Sequence, residues 1–321
     1  MAVTRPGRFV FFGATAVALV AVQVTVPGPR HSLLWSEIFN AGHAPLYGVV
    51  ALAIWQVLRH RAGGPKGSPV LGYLLALALT IAAGASAEYL QFLGAGDADI
   101  HDVARDALGA GAFLLAASAF DHGLAPTRSP AFRPLALLGA AVLLGAAFVP
   151  LTGTVIALVR RDLAFPTICD FDGSWQTKFV GAKEGTLERT SPPAGWAPAP
   201  AGRVGRVGFA IGTYPGLAIG TLHPNWLGYK TLVFDAYSEL PQPVQLVFSI
   251  HDIGHEQDYH DRFNRELTIE PGANHISIPL QDIRMAPRGR QMDLSRMCGL
   301  VLFADHPSEP FTLYFDTFRL E

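Results

Sequence analysis

Four stretches of at least 21 residues, 9–29, 38–58, 67–87 and 134–159, contain no Asp, Glu, Lys or Arg. An α-helix rises ~1.5 Å per residue and needs about 20 apolar residues to cross a bilayer. Runs of this length therefore predict membrane helices more strongly than any other feature of the chain. Segment 101–120 is apolar from Ala107 onward but carries Asp102, Arg105 and Asp106 in its first turns. It predicts a fifth span with its charges at the interface or facing other helices. The first stretch follows Arg5 and Arg8 as a signal peptide would, but no small-x-small cleavage pattern follows it, so it reads as an uncleaved anchor. Residues 1–162 hold 11 basic and 8 acidic residues and 163–321 hold 13 and 18, net charges of +3 and −5. No broad basic field exists, which excludes a nucleic-acid partner bound through one. Two cysteines exclude a disulfide-rich scaffold and a four-cysteine zinc site.

Loop charge sets the expected orientation. Arg5, Arg8, Arg59, Arg61, Lys66, Arg128 and Arg133 fall on one side of the five spans, and Arg30, Arg160 and Arg161 on the other. Basic loops stay cytoplasmic, so everything past Arg161 is expected outside the cytoplasm. Arg160 and Arg161 oppose this reading, and a miscount of one span would reverse it.

From about Leu163 short alternating runs separated by Gly, Pro, Asn and Asp replace the apolar stretches, as in an all-β domain. Strands are expected at 206–213, 229–237, 244–252, 262–270, 275–279, 299–305 and 312–320. The Pro-rich run 191–202 is expected as a surface loop. The expected fold is thus multi-domain: an α-helical transmembrane bundle over 1–162, then an all-β jelly-roll sandwich over 163–321.

One hairpin can be placed in register. If 244–252 and 261–270 pair across the loop 253–260, Asp252 faces Asp261, Ile250 faces Phe263 and Leu246 faces Leu267. Arg265 then opposes Phe248 on the apolar face. The opposite face carries His251 with Arg262, Ser249 with Asn264 and Val247 with Glu266. Ser249, His251, Arg262 and Asn264 are candidate ligand-binding residues, because hydroxyl, amide and guanidinium groups suit sugar hydroxyls. A merely solvated outer face is the equal alternative. Trp175, Trp196, Trp226, Tyr229, Tyr237 and Tyr259 are candidate stacking surfaces.

The helical half carries a polar constellation. Glu88 and Gln91 end one span, Asp97, Asp99 and His101 follow, Asp102 and Asp106 share a helix face, and His43 and Tyr47 open another span. Ionisable groups beside spans are costly and often functional; neutralisation of the carboxylates by Arg105 and neighbouring helix ends, with the acidic loop solvated, is the alternative. These groups can bind a divalent ion or move protons, although no standard metal-binding spacing is present.

The same residues carry a resemblance. His43-x3-Tyr47, Glu88-x2-Gln91 and Asp102-x3-Asp106-x2-Gly109 make roughly the first 120 residues resemble the VanZ-like family of bacterial membrane proteins. Asp106 stands where the family has Asn, and Gly96 and Asp97 occupy the region of its usual Arg. The resemblance implies a multi-pass protein of the bacterial cytoplasmic membrane, linked by analogy to glycopeptide resistance. In the second half, the segments from Cys169 to Trp175, Pro271 to Leu280 and Tyr314 to Leu320 are similar to carbohydrate-binding modules of the galactose-binding-like jelly-roll type. That resemblance implies a glycan partner and a structural Ca2+ held by Asp172 and Asp316 with backbone carbonyls, which the ion's oxygen preference allows. Turn hydrogen bonding by the two carboxylates is the alternative.

The expectation is an envelope protein anchored in membrane lipid that displays a glycan-binding sandwich, with no cofactor beyond that Ca2+. A membrane enzyme acting on a lipid-linked or cell-wall precursor through His43, Glu88, Asp102 and Asp106, and a structural envelope scaffold, are the competing classes. Cys169 and Cys298 are expected as free thiols rather than a bridge.

Overall fold

The computed structural model describes residues 32–61, 69–93, 99–127, 129–256 and 258–321, with Ala14 and Ala18 alone before them. Apart from those two residues the first expected span, together with Gly96, Asp97 and Arg128, lies outside the described residues. The chain divides into two compact units, Met1–Thr154 and Val155–Glu321, where composition places the change after residue 162.

Among the described residues, four helices are long and apolar enough to cross a membrane: α1 (Leu33–Arg61), α2 (Pro69–Leu93), α3 (Ile100–Phe120) and α4 (Phe132–Ala164). α1 and α4 outrun their charge-free windows at both ends and α2 at its C-terminal end, because backbone hydrogen bonding continues to where a cap or loop stops it. Asp99 caps α3 by accepting from the His101 amide at 2.9 Å, and Asp102 lies in its first turn, where a negative charge complements the helix dipole. Small residues bring α1 and α3 together. A Cβ on Gly109 would overlap the Ala44 carbonyl, and one on Gly48 would overlap the Phe113 ring. Such close approach is how helices associate where no hydrophobic gain separates protein from lipid. The outward surface of α2 and α4 is apolar, with Leu71, Leu74, Leu79, Leu138 and Val142 exposed.

The second unit is a two-sheet β-sandwich. Its strands are β1 (Thr167–Cys169), β2 (Val180–Lys183), β3 (Gly185–Thr190), β4 (Val204–Phe209), β5 (Gly216–Gly220) and β6 (Thr231–Ser238). They continue as β7 (Val244–Asp252), β8 (Phe263–Ile269), β9 (Gly272–Pro279), β10 (Met297–Phe303) and β11 (Phe311–Leu320), with a short helix α5 (Leu280–Met285) before β10. One sheet runs β3-β4-β11-β6-β9 with β1 also on β11; the other runs β2-β5-β10-β7-β8. Phe234 of the first sheet stacks on Phe248 of the second at 5.9 Å between centroids and on Phe318 at 4.7 Å.

All seven expected strands exist within a few residues of their expected ends. β1, β2, β3 and β5 were not expected. The hairpin register is as read from the sequence: Val244 pairs with Ile269, Leu246 with Leu267, Phe248 with Arg265, Ser249 with Asn264 and Ile250 with Phe263. Arg265, set against Phe248, turns its guanidinium to Asp282 of α5 at 2.6 Å.

Candidate functional site

In the helical unit, three helices bring the polar constellation together. His43 Nδ1 lies 3.0 Å from Asp106 Oδ1, and its Nε2 lies 3.7 Å from Asp102 Oδ2. Asp102 and Asp106 share a face of α3, as their spacing of four requires, and are 8% and 0% exposed. Arg105 engages the other oxygen of Asp102 and lies 3.8 Å from Asp99. Glu88, buried at the end of α2, accepts from the Asp99 amide at 3.0 Å. Tyr47 is fully buried one turn after His43, with ring centroids 6.2 Å apart. His101 is exposed, in the first turn of α3, where its amide donates to the capping Asp99. Gln91 is half-buried.

The sandwich presents two regions. The first is the polar face of the β7–β8 hairpin. His251, Arg262 and Asn264 are half-buried there, whereas Ser249 is 3% exposed, flanked by Val301 on β10 and Asn264 on β8. A central strand explains the departure for Ser249: its short side chain is overshadowed from both sides, so it is not freely presented. The loop after β7 folds back toward the strip. His255 lies 5.1 Å from His251, the Asn264 amide donates to the Tyr259 carbonyl at 3.0 Å, and the Arg262 guanidinium sits 5.5 Å from the Tyr259 ring. Burial lowers the His251 pKa, and the His255 and Arg262 charges lower it further. Two buried polar atoms on this strip have no hydrogen-bond partner: Arg262 Nε and Asn264 Oδ1.

A buried clamp fixes the root of that loop. Arg290 binds both oxygens of Asp252, at 2.6 and 2.9 Å, and also engages Asp261. Burial pushes the Asp252 carboxyl up, but Arg290 and the Asp293 amide outweigh it and hold the group below its ordinary range. The Asp261 oxygens accept from Arg290 and from the Glu256 amide.

The second region lies over the other sheet, where a cavity of about 660 Å³ is lined by Asp170, Asp172, Trp196, Asp235, His275, Asp316 and Arg319 among others. Asp316 faces Asp235 across β11 and β6, and Asp235 pairs with His275 at 2.6 Å. A bulge after Asp316, with Thr317 at φ 55°, sends Phe315 and Phe318 to the core and leaves Asp316 on the outer face. Asp316 is 3% exposed and its Oδ1 has no partner. Asp172 Oδ1 accepts from the Arg203 amide, 31 residues along the chain, at 2.7 Å. Among the described residues, the one group of three whose ligand atoms all lie within 4.8 Å of one another is His43, Glu88 and Asp102.

Several expected stacking aromatics belong to the core instead. Trp226 is fully buried, with Nε1 donating to the His223 carbonyl at 2.8 Å. Trp196 and Tyr237 stack at 5.4 Å and are 4% and 8% exposed, pinning the Pro-rich loop to the sheet. Trp175 and Tyr229 are half-buried, and Tyr259 is exposed. Both cysteines are free.

No protein-family model matches the chain, and no curated protein matches it. The VanZ-like resemblance therefore rests on its residues alone. Among solved structures, the chain is similar to a family 11 carbohydrate-binding module from Clostridium thermocellum in complex with a β-1,3-1,4-mixed-linked tetrasaccharide. Identity is 17% and the TM-score 0.37, over 48% of this chain and 93% of that one. It is also similar to an exo-β-agarase, at 15% identity and a TM-score of 0.39 over 48% and 24% of the two chains. A family 30 carbohydrate-binding module of a Clostridium thermocellum cellulosomal cellulase matches at 17% identity and a TM-score of 0.30, over 44% and 90%. Likeness at this level says nothing of what the chain binds.

Proposed function

We propose that the protein is a membrane-anchored glycan-binding protein, held by its apolar helices in the cytoplasmic membrane with the sandwich displayed outside it. The chain passes between the two sheets at most of its strand connections, which supports the jelly-roll reading. The observation that carries the binding site is the unpaired donor Arg262 Nε together with the unpaired acceptor Asn264 Oδ1, two residues apart on one strand face. A buried polar atom without a partner costs ~1–3 kcal/mol. A sugar hydroxyl, which both donates and accepts, meets both needs. Neutral His251 and exposed Tyr259 adjoin them and add a polar and a stacking surface. A structural Ca2+ between Asp172 and Asp316 is part of the proposal, with the unpaired Asp316 oxygen as its support.

The test is glycan-array binding by the full chain in detergent, wild type against Arg262→Ala with Asn264→Ala. Loss of binding with an unchanged unfolding midpoint is the expected result. Retained binding by a folded double variant would place the site elsewhere, with the cavity beside Trp196 and Asp235 next to be tested.

A further inference from the structure

The cluster of His43, Glu88 and Asp102 is built from one residue on each of three helices, α1, α2 and α3. A ligand atom of each lies within 4.8 Å of those of the others. Asp106 Oδ1, 3.0 Å from His43 Nδ1, takes the proton of that nitrogen as a hydrogen bond and leaves the Nε2 lone pair facing Asp102. This is the arrangement in which a second carboxylate orients a metal-binding imidazole. The distance from Nε2 to Asp102 Oδ2 is 3.7 Å, too long for a hydrogen bond. Two ligand atoms each ~2.1 Å from a tetrahedral Zn2+ sit ~3.4 Å apart, so the gap is of a size to admit an ion.

Charge points the same way. Glu88, Asp102 and Asp106 are 6%, 8% and 0% exposed, and the Arg105 guanidinium engages Asp102. Three carboxylates thus gather about His43 inside an apolar bundle, and a second oxygen of Asp106 has no hydrogen-bond partner. Burying carboxylates in such surroundings carries a desolvation cost that a divalent cation among them would offset.

We propose that α1, α2 and α3 hold one first-row divalent cation between His43 Nε2, Glu88 and Asp102, with Asp106 as the positioning residue. One imidazole and two carboxylates suit Zn2+, with Mn2+ next. They do not suit Ca2+, which takes six to eight oxygens. The set leaves a coordination position open to water or a ligand.

The full chain in detergent micelles, stripped with EDTA, is titrated with ZnCl2 and separately with MnCl2 against a chelating dye, and bound metal is counted by mass spectrometry. One Zn2+ per chain is expected. Glu88→Gln and Asp102→Asn should each weaken it ~100-fold or more. Asp106→Asn should weaken it ~10–100-fold, the range for a residue that orients a ligand, with helicity and elution volume unchanged. Absence of both Zn2+ and Mn2+ from the folded wild type overturns the proposal. So does undiminished affinity in folded Glu88→Gln, or binding that survives there and vanishes in Asp316→Asn. Should the cluster variants fail to fold, thermal unfolding of the helices in the wild type decides: a midpoint raised by Zn2+ over EDTA supports the site, and an unmoved midpoint overturns it.

Discussion

Replacing Asp316 with Asn should stabilise the sandwich at neutral pH. Asp316 is almost wholly buried on the outer face of β11, opposite Asp235 and near Asp170 and Asp172. Burial raises its pKa, hydrogen bonds from Thr317 lower it, and the Asp170 and Asp172 charges raise it again, taking it from 3.8 to about 6. The folded state then keeps a proton between pH 4 and pH 6 that the unfolded state has released. Stability from this residue therefore falls as pH rises through that window and is level above it, a loss of ~3 kcal/mol. Asn carries no charge and escapes the loss. In EDTA at pH 7.5, urea unfolding of the full chain in detergent should show Asp316→Asn more stable by up to ~3 kcal/mol. At pH 4 the two proteins should nearly coincide. Asp252 and Asp261, both with lowered pKa values, act in the opposite sense. They contribute stability above their unfolded pKa near 4, and it is lost as pH falls below that, in wild type and variant alike. A variant no more stable than wild type at pH 7.5, or a difference independent of pH, would refute the reasoning. Adding CaCl2 tests the proposed ion: it should raise the wild-type midpoint and leave that of Asp316→Asn unmoved.

Gly109→Ala places a methyl group against the Ala44 carbonyl and should lower the thermal midpoint of the helices, at ~1–3 kcal/mol for overpacking; an unchanged midpoint by circular dichroism would show that α1 and α3 do not pack at this point. A reporter fused after Glu321 should be active only outside the cytoplasm, and one fused after Gly64 only inside it. Activity of the C-terminal fusion in the cytoplasm would reverse the orientation and remove the sandwich from the cell exterior.

Legibility followed length and period. The described helices were visible because a bilayer-length run without charge has few other uses, and only their ends were missed. The β7–β8 register was visible because Leu246, Phe248 and Ile250 alternate with polar residues, and a slip by one residue would bury Arg262. β2 and β5, by contrast, read Val-Gly-Ala-Lys and Gly-Leu-Ala-Ile-Gly. They lack the β-branched and aromatic run that marks a strand; β5 exists because β10 supplies its ladder, and β2 because β5 supplies one in turn. Gly216 is needed there, since a Cβ would overlap the Leu302 carbonyl.

The sites divide in the same physical way. Residues three or four apart on one helix must share a face, so Asp102 with Asp106 could be paired in advance, as could His43 with Tyr47. That His43 would reach across to both carboxylates depends on how closely α1 approaches α3, and Gly109 supplies that closeness without any polar signature of its own. In the sandwich, the strip followed from period two within one hairpin. The cavity over the other sheet did not, because Asp170, Asp235, His275 and Asp316 come from four strands or their flanks whose order is set by the whole fold. One local sign of it was present: two aromatic residues, Phe315 and Phe318, three apart in a strand. Period two cannot put both in a core, so the chain must bulge between them, at Thr317, while Asp316 keeps its outward place opposite Asp235. An acidic residue beside an aromatic spacing of three within a strand is therefore a cue to a buried outward carboxylate that alternation alone would read as ordinary solvated surface.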